Sequence, residues 1–174
     1  YGSARLYEQY KVLNNNITAP KYSEIEYVLE KETLKNTALL VSGDVLFYSI
    51  SKKIQEKFKD RYNIELVSGI SSMQYFLSKL NIINYNIKTV SMHGRNNLCF
   101  GAVSYNEYTF ILSGGDKKGE HIINELYNAG LDYVYVYAGE NLHSDNERIV
   151  SGKISDMLDY KFSSLTVLLI YKKE

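Results

Sequence analysis

Residues Ala38–Ser49 read ALLVSGDVLFYS, and the fold turns on how that stretch is read. A short apolar run, ALLV, meets Ser42-Gly43-Asp44 and then a segment resembling a helix entry. A run of this length closed by a Gly-Asp turn predicts a buried strand with the turn at its carboxyl end. Open α/β sheets bind small molecules along that edge. Gly43 lets main chain approach a ligand with no Cβ in the way, and Asp44 can accept hydrogen bonds from a ribose, an amine or backbone N–H groups.

The same arrangement recurs downstream. Ile50, Ile54 and Phe58 fall four residues apart among lysines and glutamates, the pattern of an amphipathic helix. Ile64–Val67 (IELV) predicts a second strand, ending in Ser68-Gly69-Ile70-Ser71-Ser72. Ser71 with Gln74 forms a capping box, so a helix through Met73, Phe76, Leu77 and Leu80 starts at that strand's end. Two strand-to-helix turns would then lie side by side on one sheet edge.

Upstream, Leu6, Tyr7, Tyr10 and Leu13 have helical spacing, broken by Asn14-Asn15-Asn16 and Pro20. Ser23 and Glu26 make another capping box before Ile25, Val28 and Leu29. In the second half, strands are expected at Ile87–Met92, Tyr108–Leu112, Tyr133–Tyr137, Arg148–Val150 and Leu165–Tyr171. Asn96–Glu107 reads as a short helix or a loop. A helix over Glu120–Ala129 should close on Gly130 in the left-handed position, and a brief helical stretch spans Ile154–Leu158. The late strands succeed one another through short turns, which argues for a mixed sheet.

Composition narrows the function classes. Of 174 residues, 45% are hydrophobic and 23% charged, so the chain can bury a sizeable core and disorder is excluded. Twenty basic residues balance twenty acidic ones. With no net field to attract a phosphate backbone, nucleic acid is not an expected partner. The single cysteine, Cys99, rules out an internal disulfide and a thiolate cage, and fits a reducing compartment. A buried, inert thiol is the expectation. The three histidines, His93, His121 and His143, lack paired zinc spacing, so no protein-bound metal is expected. His121, at a helix start, should face solvent. No apolar stretch is long enough to cross a bilayer and no leader is visible, so a cytoplasmic protein is expected. The first residue is Tyr1 rather than methionine. The tyrosines at 133, 135 and 137 alternate, which predicts packing on a sheet face rather than stacking on a flat ligand.

Six segments, in this order, resemble the tetrapyrrole (corrin/porphyrin) methylase family: VSGDVLFYS, IELVSGISSMQ, VSMHGR, ILSGGD, GENLHSDNERIVSG and FSSLTVLLI. Together they are more specific than any one alone. The HGR and GENL segments make the chain most similar to the cobalamin-pathway branch that methylates carbon 5 of cobalt-precorrin-7. The resemblance implies an α/β fold of two domains, 1–84 with a mostly parallel sheet and 85–174 with a mixed sheet, and a cleft between them. It implies S-adenosyl-L-methionine as methyl donor, a homodimer, and a decarboxylating methyltransferase as possible partner subunit.

Carried over by residue, Ser42, Gly43, Asp44 and Phe47 would contact the cofactor from the first turn, and Ser71 and Ser72 from the second. Ser113, Gly139 and Glu140 would close on the adenine side, while His93 and Arg95 would face the tetrapyrrole. Arg95, Lys117 and Lys118 are the rim cations expected for substrate carboxylates, although ordinary loop charge explains the lysines equally well. No general base is identified. The chain departs from the family at Val45 and Ser68, where prolines are usual. The family's opening strand and Gly-Pro loop do not appear before Tyr1, and the expectation is a sequence that begins partway through its protein or leaves out a disordered opening strand. Another tetrapyrrole methylase, or a non-catalytic subunit binding cofactor or corrinoid, are the alternatives.

Overall fold

A computed structural model describes residues 4–12, 22–31, 36–92, 99–114 and 117–173. The chain divides into two compact units, Tyr1–Ser71 and Ser72–Glu174, whereas the sequence puts the boundary after residue 84.

The second unit is built on a five-stranded mixed sheet. Its strands are β1 (Ile87–Ser91), β2 (Tyr108–Leu112), β3 (Tyr135–Glu140), β4 (Arg148–Lys153) and β5 (Thr166–Tyr171), in the order β1-β2-β5-β3-β4. β1 and β2 are parallel, and every other pairing is antiparallel. Helix α5 (Phe100–Tyr105) connects the parallel pair, as a parallel crossover requires. The carboxyl ends of β1, β2 and β3 therefore share one edge.

Period-two alternation decides the faces. Register sets Ile111 and Ala138 on either side of Leu168, and Val136 beside Ile170. These side chains face Val103 of α5, Ile122, Ile123 and Leu126 of α6 (Gly119–Asn128), and Ile154 and Met157 of a 3₁₀ turn. Burying each large one contributes about 1.5–3 kcal/mol. On the opposite face, Phe110 and Leu169 are fully buried. A row of tyrosines crosses that face: Tyr108 stacks on Tyr171 at 4.8 Å, and Tyr135 meets Tyr137 edge-on at 5.0 Å. The alternating tyrosines thus pack on the sheet as the sequence predicts, but Tyr133 lies before the strand and is exposed.

Helix α6 ends as its glycine predicts. Gly130 has φ 89°, its N–H donates to the Tyr127 carbonyl at 3.0 Å, and the Leu131 N–H donates to Leu126 at 3.1 Å. Helix α4 (Ser72–Leu80) begins directly after Ser71, where the capping box puts it. It closes in the same way on Asn81 (φ 53°), with the Ile82 N–H donating to Leu77 at 3.1 Å.

The first unit is helical in its described residues: α1 (Ala4–Tyr10), α2 (Tyr22–Lys31) and α3 (Ser51–Phe58). α2 starts at Tyr22, so Ser23 sits within the first turn rather than before it. Leu13, the asparagine run and Pro20 lie outside the described residues. Ile25, Ile54 and Phe58 form a small core, with Leu29, Leu39, Ile50, Tyr62 and Ile64 against it. The Tyr62 hydroxyl donates to the Leu29 carbonyl at 2.9 Å, tying the segment after α3 to α2.

The expected mostly parallel N-terminal sheet is corrected here. Neither Ala38–Val41 nor Ile64–Val67 is a strand; Leu40 makes only an isolated bridge. Extended backbone becomes a strand when a partner completes its ladder and one face is buried. Here Leu39 and Ile64 are spent singly on the helical core, while Leu66 is 36% and Val67 75% exposed.

Candidate functional site

In the first unit, the two glycine turns do lie against each other. Gly43 adopts φ 72°, a left-handed conformation that glycine takes without strain. A Cβ on Gly69 would lie 2.5 Å from the Gly43 carbonyl oxygen and 4.0 Å from the Asp44 Cα. Only glycine allows this approach, because no backbone atom can yield at that distance.

Asp44 organises the chain just after Gly43. Its Oδ1 accepts the Leu46 N–H at 3.0 Å, and its carbonyl accepts the Phe47 N–H at 3.1 Å. Among the described residues no donor reaches Oδ2. This turn delays the helix: α3 begins at Ser51, whose hydroxyl donates to the Val45 carbonyl. Phe47 is half-buried, with its ring 5.0 Å from that of Tyr48. Ser42 and Gly43 are exposed, and Ser71 is buried.

In the second unit, Ser113 and Glu140 flank the start of β5 at the edge where β2 and β3 end. The Ser113 hydroxyl donates to the Thr166 carbonyl at 2.6 Å, and Glu140 is the register partner of Thr166. Gly139 is required by packing: a Cβ there would lie 2.7 Å from the Phe76 ring of α4 and 2.9 Å from Leu142.

The Glu140 carboxylate is buried and fully engaged. Oε2 accepts Arg148 Nε at 2.6 Å and the Tyr160 hydroxyl at 3.0 Å, while Oε1 accepts the Ser163 N–H at 2.6 Å. Burial, the largest single influence, raises its pKa, but Arg148, the Ser163 N–H and Tyr160 together hold it below the ordinary carboxylate value. A ligand at this corner would thus meet main chain rather than the Glu140 side chain. Sequence reading missed Arg148, Tyr160 and Ser163. The Glu140–Arg148 pairing across the β3–β4 hairpin is visible once its register is known, and Tyr160 and Ser163 have no local signal.

His93 and Arg95 lie outside the described residues, as does Asp116. Lys117 is corrected as a free rim cation, because its Nζ pairs with Glu125 Oε2 at 2.9 Å. Lys118 is exposed just before α6, and His121 is exposed as expected. Cys99 is fully buried, and burial foremost, with Glu125 adding to it, pushes its thiol up to about 11. It is therefore no nucleophile at neutral pH. Among the described residues, no three metal-ligating side chains gather, and no helix is long and apolar enough to cross a membrane. In the first unit the opposed turns offer glycine-bearing main chain and one carboxylate oxygen.

A model of the family described as Tetrapyrrole (Corrin/Porphyrin) Methylases matches residues 4–158. Over 175 aligned positions the chain is 27% identical to a protein of Methanocaldococcus jannaschii named "Probable cobalt-precorrin-7 C(5)-methyltransferase", spanning 95% of this chain and 82% of that one. It is also 27% identical to the cobalt-precorrin-7 C(5)-methyltransferase of Salmonella typhimurium, across 77% of this chain and 66% of that one. The solved structure of the cobalamin biosynthesis precorrin-6Y methylase from Archaeoglobus fulgidus matches all of this chain and 84% of its own, with a TM-score of 0.67 at 20% identity. At that identity the likeness speaks for the fold.

Proposed function

The chain belongs to the tetrapyrrole (corrin/porphyrin) methylases, and from that premise we propose that it methylates carbon 5 of cobalt-precorrin-7 in cobalamin biosynthesis, with S-adenosyl-L-methionine as donor. The names carried by the relatives support the substrate class. The observation that carries the donor assignment is the pair of opposed turns at Gly43 and Gly69, beside a carboxylate with one oxygen uncommitted.

Those residues fit the donor. When bound, S-adenosyl-L-methionine supplies an electrophilic methyl group on a cationic sulfur. Asp44 Oδ2 can accept from a ribose hydroxyl, and exposed Gly43, with no Cβ, leaves main chain open to the ligand. Ser42, Phe47, Ser71 and Ser72 border the same turns in sequence, and Ser113 and the Gly139–Glu140 main chain belong to the reading as adenine contacts. The tetrapyrrole would meet His93 and Arg95. Methyl transfer disperses charge rather than creating it, so the chain's task is to position two reactants and exclude water. A nucleophile–base pair is not needed.

In this reading the enzyme is a cytoplasmic homodimer acting beside a decarboxylating methyltransferase subunit; family resemblance is its support. The test is incubation with methyl-labelled S-adenosyl-L-methionine and cobalt-precorrin-7. Label should move to the macrocycle. Uptake of both ligands without transfer would make the chain a binding subunit instead, and transfer to a different precorrin would reassign the substrate. Asp44→Ala should weaken donor binding several-fold in calorimetry, the loss of one hydrogen bond worth about 1 kcal/mol net. Unchanged affinity would remove Asp44 from the site.

A further inference from the structure

We propose that Glu147 is a positioning residue for the donor site, latching helix α4 to the β3–β4 hairpin and thereby fixing the Ser71–Ser72 turn from which α4 starts. The inference rests on the donor reading above, since it names what holds one of the donor turns.

The latch is one carboxylate with donors from two distant parts of the chain. Glu147 Oε2 accepts the Tyr75 hydroxyl at 2.7 Å and the His143 N–H at 2.7 Å, and Oε1 pairs with Lys79 Nζ at 3.3 Å. Tyr75 and Lys79 lie one turn apart on α4, on the same side of the helix. The Lys79 ammonium also stands 5.2 Å from the Tyr75 ring centre, and the His143 ring meets Tyr75 edge-on at 5.5 Å. Glu147 keeps 19% of its side chain exposed and Lys79 45%, so the carboxylate is partly shielded beneath an open rim.

Closing the hairpin does not require them. The Glu147 N–H already donates to the Ser144 carbonyl at 3.0 Å, and the Asn141 N–H to Leu165 at 2.9 Å. Asn141 (φ 47°) and His143 (φ 64°) sit in the left-handed region without being glycine, an arrangement that persists when surrounding contacts over-determine it. The His143 conformation turns its N–H toward the carboxylate that grips α4. Between Tyr75 and Lys79, Phe76 fills the space left by Gly139. The helix is thus pinned at a polar and an apolar point, three and four residues from Ser72. A rigid helix passes any shift at those points directly to its first turn.

The test compares wild type, Glu147→Ala, Glu147→Gln and Tyr75→Phe. Each is measured for S-adenosyl-L-methionine affinity by calorimetry and for hydrogen exchange along α4, at a temperature where circular dichroism shows it folded. Glu147→Ala should raise the dissociation constant about 10-fold, the scale of a small misplacement of a binding group. Exchange in the first turn of α4 should accelerate while β5 stays protected. Glu147→Gln, which keeps an acceptor oxygen, should recover most of the affinity. With substrate, KM for the donor should rise and kcat at saturation should hold. A folded Glu147→Ala protein with wild-type affinity and unchanged α4 exchange overturns the inference and leaves the donor reading intact. Should Glu147→Ala not fold, Tyr75→Phe decides: affinity weaker by about 3-fold supports the latch, and no change overturns it. Failure of wild type to bind the donor would instead bring down the donor reading, and the inference with it.

Discussion

At the scale of the residue, Gly139 and Glu140 show how neighbouring positions can serve different ends. Gly139 has no Cβ because the Phe76 ring occupies that space, 2.7 Å from where the atom would be. Gly139→Ala should therefore overpack the junction of α4 and β3, costing about 1–3 kcal/mol in urea unfolding. Adding Phe76→Leu should recover part of the loss. If Gly139→Ala is neutral alone, packing does not explain the glycine. Glu140 predicts an acid limb. Its folded pKa lies below the ordinary 4.5, so its stabilisation is complete above that pH and is lost as pH falls through the folded value. Glu140→Gln should be less stable than wild type at pH 7 and show a shallower loss of stability below pH 4.5, measured as the urea midpoint against pH.

At the scale of the element, the helices were legible because their signals are local. Gly130 stops α6 through hydrogen bonds within a few residues, and α4 begins directly after Ser71, as their types require. The strands of the second unit were legible to within two or three residues at their ends, since alternation and β-branching mark them. Ala38–Val41 and Ile64–Val67 misled because apolar runs advertise burial and not a partner. Leu39 and Ile64 are used by a helical core instead. The two glycine turns meet, though not on the sheet edge where the sequence reading put them, whereas the engagement of Glu140 depends on Tyr160 and Ser163, twenty or more residues away. Helix α3 can be tested on its own. Among the described residues, its core cluster has Ile25, Ile54 and Phe58 as its buried members. Phe58→Ala should cost about 3 kcal/mol, and hydrogen exchange across Ser51–Phe58 should rise toward the unprotected rate while β5 exchanges as before. Uniform acceleration of both would mean that α3 and the sheet unfold as one.

At the scale of the whole molecule, each unit has its own core, and they differ in kind. One joins α2 to α3 through three closely buried side chains and polar ties from Lys57 and Tyr62. The other surrounds a sheet whose middle strand, β5, is buried at every position but its last. That strand is also the latest of the five in the chain. During synthesis β1, β2, β3 and β4 leave the ribosome before the segment that joins them exists, so the β1–β2 pair and the β3–β4 hairpin must wait with bare edges. The sheet can close only after Tyr171 has cleared the exit tunnel. A nascent chain paused before Leu165 is thus the form most exposed to mispairing and most in need of a chaperone.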